Sequence, residues 1–231
     1  MTTIATICAR GGSVGLPGKN IKPMLGKPLL VYSIEQALAC RAIERVFVST
    51  DDENIAAAAL AAGAEVPGLR PAYLATSSAG KLDAITHLVS VVESQGVGVS
   101  KIVDLDPTSP LRDLRDIEVC VEMLDEQTDA VITGYLAEKN PYFNMVEVKD
   151  DGAVRLVKES SRVLSRQQAP VVYSMNASIY VWHRHTLERG LWDGATRIHV
   201  MPYERSVDID TPFQFRIVEM LLAEKLRAAI R

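Results

Sequence analysis

Short apolar runs alternate with amphipathic segments through the first 135 residues, and this alternation constrains the fold more than any other feature. The runs Thr3–Ala9, Arg45–Thr50 and Lys101–Leu105 are apolar, whereas Pro28–Cys40 and Lys81–Gln95 place apolar residues at helical spacing. Strands separated by helices of about ten to fifteen residues form βαβ units. Parallel strands that are covered on both faces read as continuous apolar runs. The sequence therefore predicts an α/β fold with a mainly parallel sheet.

The pattern changes after residue 136. Asn140–Lys149, Ala153–Val157 and Val171–Trp182 read as strands with no long helix between them, and Asp150-Asp151-Gly152 is typical of a hairpin turn. We expect one domain over residues 1–231, with residues 136–182 as an antiparallel arm. The remaining predicted elements are the helices Glu53–Ala62, Leu114–Gln127 and Pro212–Ile230 and the strand Asp129–Tyr135.

Composition and charge exclude several classes of protein. Hydrophobic residues make up 48% of the chain, which is enough to offset chain entropy and excludes dominant disorder. A net charge of −4 argues against a nucleic-acid binder. No apolar stretch reaches the ~20 residues of a spanning helix, and the N-terminus lacks a signal-peptide pattern, so we expect no membrane association. Three cysteines without a CxxC spacing favour the reducing cytoplasm and no structural zinc.

A glycine-rich loop, Arg10–Asn20, follows the first predicted strand at its C-terminal end, where parallel sheets bind ligands. It contains four glycines, whose backbone N–H groups can approach a ligand closely. Arg10 and Lys19 bracket the glycines with positive charge. The segment therefore predicts a polyphosphate site, the alternative being a surface loop with no ligand.

Two common phosphate-binding motifs do not match this loop. A P-loop needs four residues between its glycines and Ser or Thr after Lys, but five residues separate Gly12 from Gly18, and Asn20 follows Lys19. A dinucleotide fingerprint opens directly into a helix, whereas this loop continues into Leu-Pro-Gly. Asp51 at the end of the second strand leaves an NAD-dependent enzyme as the weaker alternative.

From the loop onward, the chain resembles the cytidylyltransferases that activate acidic sugars, the CMP-sialic acid synthetase family. The resemblance covers roughly residues 4–220. It is carried by six blocks in the family's order: Arg10–Asn20, Arg70–Ala75 (Arg-Pro-x-x-Leu-Ala), Pro107–Arg112 (Pro-Thr-Ser-Pro-Leu-Arg), Arg166–Pro170, Asn176–Tyr180 and Ser206–Asp210.

The resemblance implies both a fold and a reaction. The fold is a Rossmann-like three-layer α/β/α sandwich of the nucleotide-diphospho-sugar transferase type, with the arm serving dimerisation. In the reaction, the anomeric hydroxyl of a nine-carbon 2-keto-3-deoxy sugar acid attacks the α-phosphate of CTP directly, giving CMP-sugar and pyrophosphate with Mg²⁺. Catalysis is then positioning and charge neutralisation, without a nucleophilic Ser or Cys.

The resemblance also assigns roles to residues. Arg10, Lys19, Asp208 and Asp210 are the candidate catalytic groups. CTP binding is assigned to Arg10, Gly11, Gly12, Ser13, Lys19, Asn20, Arg70, Ser77 and Ser78. Sugar binding is assigned to Lys81, Asp106, Thr108, Ser109, Arg112, Arg166, Gln167, Asn176 and Tyr180.

Asp208 and Asp210 are the candidate Mg²⁺ ligands. In an extended segment, side chains two residues apart project from the same side, and two carboxylates suit Mg²⁺ bridged to phosphates. The alternative is that Asp210 caps the following helix, since Asp-Thr-Pro is typical of a helix N-terminus. Both roles are compatible.

Three positions depart from the pattern of most sialic acid synthetases. Val14 stands where many members carry Lys, Asp106 replaces Gln, and Asn176-Ala177-Ser178 replaces Asn-Gly. The sequence is most similar to the branch that activates legionaminic acid. Sialic acid and 3-deoxy-manno-octulosonate are the alternative substrates, and a non-catalytic nucleotide-binding protein is the alternative class. An exposed apolar arm further predicts a homodimer.

Overall fold

A six-stranded sheet forms the centre of the computed structural model, which describes residues 2–13, 15–159, 163 and 165–229. Val14 and Ile230 therefore lie outside the described residues. The strands are β1 (Thr2–Cys8), β2 (Pro23–Met24), β3 (Lys27–Pro28), β4 (Arg45–Ser49), β5 (Val99–Leu105), β6 (Ala130–Leu136), β7 (Val146–Val148), β8 (Val154–Leu156), β9 (Tyr173–His183) and β10 (Thr196–Val200). The helices are α1 (Leu29–Ala39), α2 (Glu53–Ala61), α3 (Lys81–Ser94), α4 (Leu114–Met123) and α5 (Pro212–Ala229).

The sheet has the order β10-β6-β9-β5-β1-β4. β1 pairs in parallel with β4 and β5, and β10 pairs in parallel with β6. Only β9 among the described strands of this sheet runs antiparallel, between β5 and β6. The predicted α/β fold with a mainly parallel sheet is confirmed.

Alternate residues of the strands face two separate helical layers. Ala5 and Ile7 of β1 pack with residues of α1, α2 and α4, whereas Ile4 packs with residues of α3. α5 lies against a third cluster that includes Met24 and Leu111. The strands are thus covered on both faces, which explains why their sequences are continuous apolar runs.

Two features of the sheet differ from the sequence-based expectation. The last strand of the predicted arm, Val171–Trp182, lies in the central sheet as β9, so it does not belong to the arm. The strand β10 was not predicted; its sequence, Thr-Arg-Ile-His-Val, is mostly polar because it lies at the sheet edge. The described residues of 137–172, called the excursion below, lie outside this sheet and contain the antiparallel β7–β8 hairpin.

The helix predicted over Leu114–Gln127 ends at Met123. The Asp125 carboxylate accepts hydrogen bonds from the Gln127 backbone N–H at 3.0 Å and from Thr128 Oγ1 at 2.6 Å. This local side-chain turn competes with the helical hydrogen bonds and stops the helix.

β9 contains an irregularity at Ala177, whose φ of +53° lies in the left-handed region. An alanine there carries strain of roughly 1–2 kcal/mol that glycine does not. We expect Ala177→Gly to raise the free energy of unfolding by up to about 1 kcal/mol, since the higher entropy of unfolded glycine offsets part of the relief.

Urea unfolding measures this effect, with Ala58→Gly in α2 as the control. Ala58 has ordinary helical geometry, so its replacement should lower stability by about 1 kcal/mol. A loss of stability in Ala177→Gly comparable to that of the control would contradict the strain at Ala177.

Candidate active site

A polar cleft lies where β1, β4 and β5 end. Because these strands are parallel, their C-terminal ends meet at one edge of the sheet. The cleft is a cavity of about 230 Å³. Its lining includes Arg10, Arg70, Ser77, Lys81 and Asp106, all of them predicted site residues from separate parts of the sequence.

Two arginines supply the cleft with positive charge. Arg70 is 7% exposed, and its guanidinium donates to Ser49 Oγ at 2.9 Å and to the Ser49 carbonyl at 2.6 Å. Arg10 donates to the Thr76 carbonyl at 2.6 Å. Neither forms an ion pair with a carboxylate in the part of the chain that the structure describes. Both charges therefore remain available to an anion.

The start of the glycine-rich loop is fixed by side chains outside the glycines. The Gly11 N–H donates to Asp51 Oδ1 at 3.0 Å, and buried Asn20 donates to the Arg10 carbonyl at 2.9 Å. Asp52, not Asp51, caps α2 by accepting from the backbone of Asn54 and Ile55. Asp51 thus anchors the loop, a role that the sequence did not reveal. Gly12 and Ser13 lie exposed or half-exposed on the loop.

Lys19 joins this loop to the Asp208–Asp210 segment across most of the chain length. Its Nζ donates to the Ile209 carbonyl at 2.6 Å and lies 3.1 Å from Asp210 Oδ1, and its side chain is 12% exposed. A Cβ on Gly15 would collide with the Asp210 carbonyl oxygen. The two segments therefore pack directly against each other.

Asp208 carries an unfavourable charge. Burial and repulsion from Asp106 raise the pKa of its carboxyl, with a further contribution from Asp210, although a hydrogen bond from Thr108 opposes the shift. A cation at this position would relieve the repulsion. The carboxyl group of Asp210 is largely exposed.

The cap of α5 does not use Asp210. Gln214 Oε1 accepts from the Thr211 N–H at 2.8 Å, while the Gln214 N–H donates to Thr211 Oγ1 at 3.2 Å. This reciprocal pair is a capping box with Thr211 as its first residue. The alternative role for the Asp210 carboxylate as the helix cap was therefore wrong.

The described residues could hold Mg²⁺ only if bound substrate phosphates supplied further ligands. No group of three or more His, Cys, Asp or Glu among them is arranged to hold a metal ion. Asp208 and Asp210 supply two hard carboxylates, and Mg²⁺ is commonly bound by one or two carboxylates plus substrate phosphates.

Lys81 lies at the inner wall of the cleft between two carboxylates. Its Nζ is 2.8 Å from Asp104 Oδ2 and 2.9 Å from Asp106 Oδ2. Burial opposes ionisation of Asp106, but Lys81 and two hydrogen bonds from Thr108 lower its pKa to about 2. Asp106 is thus a fixed anion at neutral pH.

An apolar pocket of about 390 Å³ adjoins the cleft and shares Lys81 with it. Its walls include the predicted Tyr180 together with Trp182, Leu191 and Trp192, none of which had been predicted. Trp192 is 72% exposed, which is unusual for its size. The sequence signal was a Trp in the turn segment between Gly190 and Gly194.

Three predicted sugar-binding residues lie behind the cleft, not in it. Arg112 is 1% exposed and donates to Ser178 Oγ, Ser33 Oγ and the Asp106 carbonyl. Asn176 is buried and bonded to Thr133 and Ser206. Ser109 is fully buried. The Arg112 and Asn176 side chains are therefore placed to support the loops that carry Asp106 and Asp208.

Three further predicted residues lie at the periphery. Ser78 is exposed beside Thr76, 3.3 Å between their hydroxyl oxygens. Arg166 and Gln167 are exposed on the excursion, where Arg166 donates to the Glu138 carbonyl at 3.4 Å. Neither of these two residues lines the cleft of its own chain.

The family model described as Cytidylyltransferase matches residues 4–227. The chain belongs to the cytidylyltransferase family. It is 37% identical to the post-translational flagellin modification protein B of Campylobacter coli, and 36% identical to the CMP-N,N'-diacetyllegionaminic acid synthase of Campylobacter jejuni. Each match covers 96% of this chain and 95% of the relative.

A solved structure has the same fold as this chain. The CMP:2-keto-3-deoxy-manno-octonic acid synthetase complexed with CTP superposes with a TM-score of 0.70 at 19% identity, covering 97% of this chain and all of the other. The predicted Rossmann-like fold is thereby confirmed. The predicted nucleotidyltransferase class is confirmed by the family to which the chain belongs. No helix in the described residues has the length and apolar character to cross a membrane.

Proposed function

We propose that this cytidylyltransferase transfers the cytidylyl group of CTP to a nine-carbon acidic keto sugar of the legionaminic type. The observation that carries the proposal is the cleft: Arg10 and Arg70 line it without a carboxylate partner among the described residues, and the Lys19–Asp210 contact joins the glycine loop to the carboxylate segment. The two arginines would suit a polyanion, and the two carboxylates would suit a cation bound beside it. The name of the Campylobacter jejuni relative points to the same sugar class.

In the proposed reaction, the anomeric hydroxyl oxygen of the sugar forms a bond to the α-phosphorus. The bond from that phosphorus to the bridging oxygen breaks, and pyrophosphate leaves with the electron pair, while the hydroxyl proton passes to solvent. The N–H groups of Gly11 and Ser13 already donate to Asp51 and to the Gly11 carbonyl. Arg10, Lys19 and the backbone N–H of Gly12 would therefore stabilise the triphosphate. Their fixed positions mean that little reorganisation is needed as charge develops.

Asp208 and Asp210 would hold Mg²⁺ together with the phosphates. The ion would neutralise triphosphate charge when bound. Lys19 contacts Asp210 and Ile209 from the loop side and would keep this segment against the nucleotide.

The sugar would lie between the polar cleft and the apolar pocket. Asp106 is an ionised acceptor suited to the amide N–H groups of an acylated diamino sugar. Tyr180, Trp182 and Trp192 form apolar walls for its acyl groups. We also propose that the protein acts in the cytoplasm, where CTP is available.

Pyrophosphate release tests the function directly. The protein should release pyrophosphate from CTP and Mg²⁺ with N,N'-diacetyllegionaminic acid, less readily with N-acetylneuraminic acid, and least with 3-deoxy-manno-octulosonate. Omission of Mg²⁺ should abolish release. If no sugar of this panel supports release, the proposed function is wrong.

A second copy of the chain is the proposed partner of the excursion. A two-stranded hairpin is only marginally stable alone in water. Exposed apolar side chains there and along the adjoining strands are Leu136, Phe143, Val146, Val148, Val154, Val171, Tyr173 and Met175. Pairing of two such faces would remove them from water, and would bring Arg166 and Gln167 toward the partner's cleft.

We expect Val148→Asp to convert a dimer into a monomer, because it places a charge on a side chain that is 71% exposed in the single chain and would be buried in the proposed pair. Light scattering after size exclusion measures the mass. Leu60→Asp, an exposed leucine on α2, is the control and should leave the mass unchanged. A wild-type monomer, or an unaltered Val148→Asp dimer, would refute this interface.

A further inference from the structure

Asp104 is a buried carboxylate at the end of β5 that neither the family resemblance nor the proposed reaction uses. Its side chain is fully buried. Oδ1 accepts a hydrogen bond from Thr6 Oγ1 on the neighbouring strand β1 at 2.8 Å, and Oδ2 lies 2.8 Å from Lys81 Nζ. An ionised carboxylate is costly to bury unless it is paired and hydrogen-bonded. The buried Asp104 carboxylate therefore depends on the nearby Lys81 ammonium to balance its charge.

The Lys81 side chain is held at the boundary between the two pockets. It belongs to the first turn of α3, and its Nζ lies 2.9 Å from Asp106 Oδ2 and 5.0 Å from the centre of the Tyr180 ring. A third of the side chain remains exposed, and it lines both the polar cleft and the apolar pocket. A lysine has a long flexible stem, so contacts on several sides are needed to fix its ammonium.

We infer that Asp104 is a positioning residue that holds the Lys81 ammonium against Asp106 at the junction of the cleft and the apolar pocket. A cation and an anion are thereby fixed side by side where the reacting end of the acidic sugar would meet the nucleotide. The inference rests on the proposed function for its substrate, but the placement of Lys81 by Asp104 stands on the contacts alone.

Asp106 also accepts a hydrogen bond from Lys81, but it is the less rigidly held of the two carboxylates. The Asp106 side chain is a fifth exposed and belongs to a loop, and its other oxygen is occupied by Thr108. Asp104, in contrast, is anchored in the middle of the sheet by Thr6. Burial by itself would lower the pKa of Lys81, but the attraction of Asp104 and Asp106 raises it well above the usual value. The ammonium is thus charged and doubly paired.

The kinetic test compares Asp104→Asn with a matched control on the same helix. Asn is isosteric and keeps an oxygen for Thr6, but loses the charge that fixes Lys81. We expect the KM for the sugar to rise about tenfold or more, with the KM for CTP and the melting temperature changed little, since small misplacements in a site cost up to about 10²-fold. The control, Glu93→Gln, removes the Arg184–Glu93 pair at the far end of α3 and should leave both KM values unchanged.

Lys81→Met should raise the KM for the sugar as Asp104→Asn does. The double variant should be no worse than the more damaged single variant, because both changes remove one interaction. The positioning role would be overturned if the double variant raised the KM for the sugar by the product of the two single effects. It would also be overturned if Asp104→Asn lowered only kcat and stability and left that KM unchanged.

Lysine acetylation measures the placement without any sugar. Only the free amine reacts, and Lys81 is held as an ammonium between two carboxylates, so in the wild-type protein Lys81 should be acetylated about tenfold or more slowly than exposed Lys22. In Asp104→Asn this protection should fall severalfold. Equal Lys81 rates in the two proteins would overturn the inference. Changed rates in a protein that releases no pyrophosphate would instead refute only the proposed function.

Discussion

Replacement of Lys19 by alanine should reduce kcat/KM for CTP by about 10²–10³-fold, on the scale of a lost preorganised electrostatic donor. Lys19 is the side chain through which the glycine loop contacts the Asp208–Asp210 segment, by bonds to the Ile209 carbonyl and Asp210. Its removal takes away a cation near the triphosphate and also loosens the contact between two parts of the site. Steady-state pyrophosphate release measures the effect.

Lys22→Ala is the matched control for this experiment. Lys22 lies three residues further along the chain, just beyond the loop, is exposed, and has its ammonium 5.6 Å from the Phe215 ring centre. We expect its kinetics to equal those of the wild type. A Lys19→Ala variant with similarly unchanged kinetics would show that this loop is not the phosphate site.

Asp208→Asn should have opposite effects on activity and on stability. Activity should fall by about 10²-fold or more, because one of the two proposed Mg²⁺ ligands is lost. The metal-free protein should become more stable, because the variant removes a charge that burial and Asp106 make unfavourable. Pyrophosphate release and thermal unfolding in EDTA measure the two effects.

The stability gain should depend on pH in a defined direction. Since the pKa of Asp208 is raised in the folded state, the native protein binds more protons than the unfolded chain as pH rises above the ordinary value of 3.8. The wild type therefore loses stability over that range and recovers it as pH falls. The gain in Asp208→Asn should be complete at pH ~8 and shrink toward pH ~4.

Asp150→Asn in the exposed hairpin turn is the control and should show neither effect. An Asp208→Asn variant that is less stable than the wild type in EDTA would mean that the Asp208 carboxylate is stabilised in the free protein. An unchanged Mg²⁺ requirement would remove Asp208 from the metal site.

The alternation of strands and helices could be predicted because the burial of one face of a helix, or of a whole strand, makes apolar residues recur at a characteristic spacing in the sequence. β1, α1, β4 and α3 accordingly have nearly the predicted bounds. The ordered blocks from the glycine loop to Asp210 also sufficed for the family, since residue type and spacing are sequence properties.

β9 shows where local reasoning fails. Its composition predicts a strand, but not where the strand pairs. A strand in the arm and a strand between β5 and β6 would show the same apolar run in the sequence. Only the complete set of strands determines that it fills the position between them. The strand β10 escaped prediction for a different reason, since it lies at the sheet edge and its sequence is mostly polar.

The sequence alone determined the α/β class, the cytidylyltransferase family and the charged residues that line the cleft. Only the tertiary structure decided that Arg112 and Asn176 support the cleft from behind, that Lys19 contacts Asp210, and that Asp104 holds Lys81. The physical reason is that these are pairings between side chains far apart in the chain. A charge or hydroxyl records its residue type in the sequence, whereas its burial and its partner depend on how the whole chain packs.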